Sequence, residues 1–334
     1  MAPRTIESVR TFLANPEEIR RIVQLVHSFI YEDMAECGDE AFALLTNEYG
    51  KTYLAIDKSA EAAFAVEIKV ECGAFVDVIG EESLHHSGLD LSGSSKIHVL
   101  CDVIDGTDLF VKGLANWCSA FVAFEPSRKR IISSHVYVVG GDVDTLYSAA
   151  EHSESVVASV FRTVVERSEP DRYHSKQELD DRYEIVTPMR KRGLENASIF
   201  SYGQKLDRIE AISRFLLDPK VKESLLEYRD ARFYNLGGNP ILCKLLDGDA
   251  DILFEIFGQA AHDFVPGAYI ALRGGAFMFD LGNNPVRPTR EILAEDLAEY
   301  LLRPCSGDTR VKYLVATSKE LASDFLRLLG FSSH

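Results

Sequence analysis

The stretch CDVIDGTDLF, residues 101–110, sets Asp102, Asp105 and Asp108 close together at the end of the apolar run KIHVLCDVI (96–104). Carboxylates this near one another repel. Two readings of the stretch compete. Asp-Gly is a common turn pair, and the run would then be a tight turn after a strand. Alternatively, a divalent cation offsets the repulsion and the stretch is part of a metal site. The decision rests on the rest of the chain.

Around this stretch the sequence reads as a series of strands. AFVDVIG (74–80), KIHVLCDVI (96–104), CSAFVAFE (118–125) and RIISSHVYVV (130–139) are rich in β-branched and aromatic residues and bounded by turn or charged residues. Upstream, NPEEIRRIVQLVHSFI (15–30) predicts a helix capped by Asn15, with Pro16 in its first turn and Glu18 at the capping-box position. A second helix is expected in DKSAEAAFAVEIKVE (57–71), opened by Asp57. The most polar part runs from Glu151 to Arg192. It holds a predicted helix, ESVVASVFRTVVERS (154–168), then the charged run EPDRYHSKQELDDRYE (169–184). A domain boundary is placed here, giving halves 1–180 and 181–334.

Beyond the boundary, ASIFSY (197–202), ADILFEIF (250–257), GAFMFDL (275–281) and KYLVATS (312–318) read as strands. KLDRIEAISRFL (205–216), NPILCKLLDG (239–248), VPGAYIALRGG (265–275), EILAEDLAEYLL (291–302) and SKELASDFLRLLG (318–330) read as helices. The fold class is α/β, an α+β half followed by an α/β half.

The formal net charge of -16 argues against a nucleic-acid polymer as partner, since phosphate backbones are bound by basic surfaces. A small anionic substrate stays compatible if metal ions lie between it and the carboxylates. No apolar run reaches membrane-span length, and the first amphipathic stretch reads as a surface helix rather than a secretory leader. The six cysteines are scattered without a C-x-x-C pair, so a reducing cytoplasm is expected.

Three carboxylate motifs occur in order: GEES (80–83) with Glu81 and Glu82, DVIDGT (102–107), and HDFVPG (262–267) followed by LRGG (272–275). Taken singly, Glu81 reads equally as a solvated turn residue, and Asp57 and Asp263 as helix caps. Together the motifs resemble the inositol monophosphatase family of magnesium-dependent, lithium-sensitive phosphatases. That family's pattern is G-E-E/D, then D-P-[IL]-D-G-[TS], then W-D-x-x-A-[GA] with an E-A-G-G-like segment. The resemblance runs from the first helix to YLVATSKELASDFL (313–326). It implies a layered αβαβα sandwich of the sugar-phosphatase type, a homodimer, and hydrolysis of a small sugar or cyclitol phosphate by metal-activated water.

By the same resemblance Glu81, Asp102, Asp105, Asp263 and the Ile104 carbonyl hold Mg2+, on the order of two or three ions per site, with Mn2+ as a substitute. Asp57, Thr107 and Glu81 are the catalytic candidates, with Asp57 and Thr107 orienting the water. The amides of Gly106 and Thr107 face the phosphate. Glu255, Asn235, Gly238 and Asn239 are the candidate substrate contacts. The chain departs from the pattern at Val103, where proline is usual, and at His262, where Trp is usual and a packing role is favoured. It departs again at Asp108, which reads best as a cap, and in the apparent insertion 288–309. The alternatives are a 3'(2')-phosphonucleotide phosphatase, a non-catalytic phosphate-binding regulator, and a calcium-binding structural loop at 102–108. The last lacks EF-hand spacing and leaves Glu81 and Asp263 unexplained.

Overall fold

The computed structural model describes residues 5–46, 52–81, 91, 94–140, 143–151, 158–164, 181–185, 192–203, 206–226, 230–282, 290–302 and 310–331. Glu82, most of the charged run 169–184 and both ends of the 288–309 segment lie outside them. The chain forms two compact units, one of residues 1–154, 158–184 and 298–306, the other of residues 155–157, 185–297 and 307–334.

The first unit begins with helices α1 (Ile6–Ala14) and α2 (Pro16–Cys37), the short strands β1 (Leu44–Thr46) and β2 (Thr52–Leu54), and helix α3 (Ala55–Cys72). Asn15 caps α2 as expected, its Oδ1 accepting the Glu17 amide at 3.0 Å. Glu18 forms no capping box; it pairs with Arg21 one turn on, at 3.3 Å. Strands β3 (Val76–Gly80) and β4 (Ile97–Asp105) follow, then the single-turn helix α4 (Thr107–Val111). Next come β5 (Trp117–Glu125), β6 (Arg130–Val139), β7 (Val143–Ala150), β8 (Ala158–Val164) and β9 (Asp181–Ile185).

Strands β3 to β9 form one seven-stranded sheet in sequence order. β3 and β4 are parallel, and β4 to β8 run as an antiparallel meander. Ile22, Val26, Ile30, Phe64 and Ile68 from α2 and α3 pack with Val99, Phe121 and Tyr137 of the sheet in one core. The helix expected over 154–168 is corrected: its described part is β8, paired antiparallel with β7. Val160, Thr163 and Val164 lose side-chain freedom in a helix and suit a pleated surface. Pairing also covers what would otherwise be an open β7 edge.

The second unit contains β10 (Ser198–Ser201), α5 (Leu206–Leu217), α6 (Pro219–Leu226), β11 (Arg232–Tyr234), α7 (Asn239–Asp247), β12 (Ile252–Gln259) and α8 (Ala261–Arg273). β13 (Phe277–Asp280), β14 (Arg290–Ile292), β15 (Val311–Ala316) and α10 (Lys319–Leu328) complete it; α9 (Leu297–Leu301), between β14 and β15 in sequence, belongs from residue 298 on to the first unit. The six-stranded order is β11-β10-β12-β15-β13-β14. β11, β10 and β12 are parallel; β15 runs antiparallel to β12, and β13 antiparallel to β15. The helix expected over 291–302 is corrected in its first turn. Arg290–Ile292 pairs with β13, and the chain becomes helical only after it.

Candidate active site

Two of the three aspartates of the opening stretch are brought to one face by a bulge. Asp102 pairs with Ala120, and Asp105 pairs with Cys118, so three steps along β4 oppose two along β5. In a regular strand, residues three apart point to opposite faces. The extra β4 residue restores the alternation and sets both carboxylates on the face shared with Ala120 and Cys118. The Cys118 thiol donates to Asp105 Oδ2 at 3.6 Å.

A bulge removes backbone groups from the ladder, and buried carbonyls need partners. Ser119 Oγ donates to the Val103 carbonyl at 2.7 Å. Ser119 Oγ is in turn 2.8 Å from His27 Nε2 on α2. His27 is fully buried, and burial lowers its pKa to about 3, so the ring is neutral and donates through Nε2. Trp117 and Tyr137 pack around it, with ring centroids 5.0 and 5.2 Å away. Phe110 of α4 lies edge-on to the same Trp117 at 5.0 Å.

After β4 the chain turns through Gly106, at φ 93° and ψ 38°. A side chain there would be strained, and its Cβ would meet Trp117 Cβ at 3.3 Å. This turn starts α4 and places Thr107. The Thr107 hydroxyl reaches the Ile104 carbonyl at 3.0 Å and Asp57 Oδ1 at 3.3 Å. Asp57 does not open its helix. It is the third residue of α3, and its Oδ2 accepts the Leu54 amide at 3.0 Å.

Asp57, Glu81, Thr107 and the exposed Asp108 line one cavity of about 350 Å³, together with the cation Lys112. Asp108 is not the cap of α4, since Gly106 holds that position. Glu61, which the sequence reading passed over, stands four residues after Asp57 on α3. A Cβ at Gly80 would collide with the Glu61 carboxylate. After burial itself, the Glu61 and Asp102 charges push the Cys101 thiol well above its ordinary value. The spacing from Asp57, one helical turn, was the available signal for Glu61.

In the second unit Asp263 is the third residue of α8. Its Oδ2 accepts the Ala260 amide at 3.1 Å, and its Oδ1 lies 3.2 Å from His262 Nε2. His262 itself is buried. Asn239, a candidate substrate contact, is held inside the second unit. It is fully buried, its Nδ2 donates to the His262 carbonyl at 2.8 Å, and its Oδ1 accepts the Gly267 amide at 2.9 Å. Both ends of the amide thus tie α7 to α8. Gly238 supplies the cap conformation of α7, at φ 79°.

Glu255 is buried, and Oε1 accepts the amides of Phe257 and Gly258 at 2.5 and 3.1 Å, where β12 leaves register with β15. Asn235 donates to the Gly203 carbonyl at 2.8 Å. Tyr234 is partly exposed and stacks on Phe200, with centroids 4.7 Å apart. The sequence does not announce that aromatic pair.

The candidate metal donors of the first unit are all hard oxygen, from Glu81, Asp102, Asp105 and the Ile104 carbonyl, which suits magnesium in type. Among the described residues, no three His, Cys, Asp or Glu side chains already converge in an arrangement that could hold a metal ion. Also among them, no helix is long and apolar enough to cross a membrane.

No protein-family model and no curated protein matches the sequence. Solved structures do match in fold. SuhB of Mycobacterium tuberculosis is 17% identical, with a TM-score of 0.56 over 98% of this chain and 97% of its own. The IMPase of Thermotoga maritima is 13% identical, with a TM-score of 0.57 over 94% and 96%. SaIMPase-II, a Staphylococcal enzyme solved with bound 2'-AMP, is 19% identical, with a TM-score of 0.55 over 93% and 94%. The same enzyme has been solved with bound inositol monophosphate. The chain is thus a mixed α/β protein with the inositol monophosphatase fold.

Proposed function

We propose that this protein is a magnesium-dependent phosphomonoesterase acting on a small sugar or cyclitol phosphate. The observation that carries the reading is the contact of Thr107 Oγ1 with Asp57 Oδ1, at 3.3 Å, on a cavity that Glu81 also lines. Thr107 has one hydroxyl proton. With that proton directed to Asp57 or to the Ile104 carbonyl, the oxygen's lone pairs are left to accept from a water. Asp57 is itself held by the Leu54 amide, so it fixes the hydroxyl rather than following it.

A water placed by Thr107 is oriented for in-line attack on phosphorus, its proton passing toward Thr107 and Asp57 with Glu81 as a further acceptor; the ester P–O bond opposite breaks, and the leaving alkoxide takes a proton from solvent to depart as the alcohol. Gly106 and Thr107 are assigned to the phosphate. Glu81, Asp102, Asp105 and the Ile104 carbonyl would hold magnesium, which supplies positive charge to the phosphoryl oxygens. In the second unit, Asp263 keeps its assignment as a ligand.

The test is phosphate release from inositol monophosphate, hexose phosphates and 2'-AMP across a magnesium titration. Activity should require the cation, and Asp102→Asn should lower it by orders of magnitude. Undiminished activity in excess chelator overturns the reading. A nucleotide substrate is the second reading, favoured by the stacked Phe200–Tyr234 pair, whose partly exposed Tyr234 ring offers a face to a base. A tenfold or greater preference for the nucleotide would select it.

A further inference from the structure

Helices α2 and α3 lie side by side and antiparallel, with Arg21 near the start of α2 paired to Glu71 near the end of α3 at 3.1 Å. Their inner faces fill the core of the first unit with Ile22, Val26, Ile30, Phe64 and Ile68. Their outer faces are apolar as well. Leu25 and Phe29 on α2 and Val66 and Val70 on α3 are between 43 and 64 % exposed. On α2, Arg21, Leu25, Phe29, Glu32 and Glu36 follow one another at steps of three or four and so share one face. Ser59, Ala62, Val66 and Val70 do the same on α3. A contiguous apolar patch of this kind, rimmed by charge, marks a surface that is covered by another molecule.

A groove of about 500 Å³ runs between the two helices. Its walls are unequal. α2 contributes the large side chains of Leu25 and Phe29, and α3 contributes Ser59, Ala62 and Ala63. A face that carries both a ridge of large side chains and a hollow lined by small ones can take a second copy of itself, ridge into groove. Helices of 22 and 18 residues are about 33 and 27 Å long and pack about 10 Å apart. The pair of faces therefore buries on the order of 1,000 Å², the size at which specific interfaces begin.

Two such faces can meet in two ways, α2 on α2 or α2 on α3. The first sets Leu25 and Phe29 against their own kind, leaves the small residues of α3 facing one another, and opposes Lys58 to Lys69 of the second copy. The second sets large side chains on small ones and brings Glu32, toward the end of α2, over Lys58 at the start of α3. Glu32 and Lys58 are both exposed, and neither has an ion-pair partner among the described residues. The chain's net charge of -16 opposes self-association, and Arg21, Lys58 and Lys69 offset it at this face.

We propose that the α2–α3 face joins two copies of this chain about a two-fold axis parallel to the helices, so that α2 of each copy lies along α3 of the other. Leu25 and Phe29 then pack over Ala62, Ala63 and Val66 of the second copy, and Glu32 pairs with its Lys58. The homodimer expected from the family resemblance named no face; this assignment names one, and it is independent of the phosphatase reading.

Sedimentation equilibrium of the full-length protein tests it, without substrate or metal. The wild type should be a dimer at micromolar concentration, and Phe29→Asp should raise the Kd about 100-fold or more. Phe29 is half-exposed, so the variant should keep its fold, checked by circular dichroism. Glu32→Lys and Lys58→Glu should each weaken the dimer about three- to tenfold, and the chain carrying both should recover wild-type affinity. In an α2-on-α2 pair, Lys58→Glu would instead tighten the dimer, by removing the repulsion from Lys69. Three results overturn the proposal: a monomeric wild type, which leaves the groove to a foreign partner; a dimer indifferent to Phe29→Asp; and charge variants that fail to rescue one another.

Discussion

Asp57 and Asp263 occupy the same local position in two different units. Each is the third residue of its helix, and each carboxylate reaches back to the amide before the helix, at 3.0 Å to Leu54 and 3.1 Å to Ala260. The difference lies in the remaining oxygen. For Asp57 it meets a threonine hydroxyl; for Asp263 it meets a histidine ring nitrogen. The cap explains why each side chain is held, and the second contact decides what it can do. A hydroxyl held this way can position water. In the proposed assignment, Asp263 holds a metal ion rather than orienting a water.

The largest effect should separate the two. Thr107→Ala and Asp57→Asn are each expected to lower kcat about 100-fold or more at saturating magnesium, read by phosphate release. Asp263→Asn should act mainly through the magnesium concentration required, with much of the rate recovered in excess metal. If Asp263→Asn loses kcat at saturating magnesium as Asp57→Asn does, the contrast collapses.

Acid should also divide the units. His27 and His135, both buried in the first unit, have pKa values lowered by burial to about 3 and about 4. Between those values and the ordinary histidine value of about 6.5, the unfolded chain binds more protons, so stability falls as pH falls. Each histidine should contribute a loss of about 2 kcal/mol between pH 6.5 and 5. In the second unit, burial raises the carboxyls of Asp251 and Glu255. There the folded state holds the proton more tightly, so falling pH favours it. Urea unfolding at pH 7 and pH 5, monitored separately in each unit, should show the first weakening earlier, and His27→Gln should flatten its pH slope.

A smaller effect is expected from Ser119→Ala, which leaves the Val103 carbonyl of the bulge without its donor. It should cost about 1–3 kcal/mol by urea melting and raise the magnesium requirement. Unchanged magnesium dependence would mean that the bulge survives without Ser119. The smallest effect tests the shared cap. Asp57→Ala and Asp263→Ala should each cost about 1 kcal/mol more in stability than the corresponding Asn variants, despite their unequal effects on rate.

Much of the fold was legible because most strands carry β-branched runs between charged or glycine turns, and because three motifs follow one family's order. The bulge was not legible. Asp102 and Asp105 are three apart on β4, and only the pairing with Ala120 and Cys118 brings them to one face. Residues 154–168 mix valines with charges at a spacing that suits a helix, but their described part, 158–164, pairs with β7. The tie that Asn239 makes between α7 and α8, using both ends of its amide, was not legible either. The packing of Arg208 on Phe257 escaped notice because the two lie far apart along the chain and meet only through the parallel register of β10 and β12.

Trp117 is the only tryptophan in the sequence. It is buried against His27, against Phe110, and against the space that a side chain at Gly106 would occupy. The protein thus carries a native optical reporter at the base of the turn that holds Thr107. Its emission maximum and quenching should track the protonation of His27 and any shift of residues 104–111, with no label attached. Loading with magnesium or phosphate could then be followed in real time by stopped-flow fluorescence, on the unmodified chain.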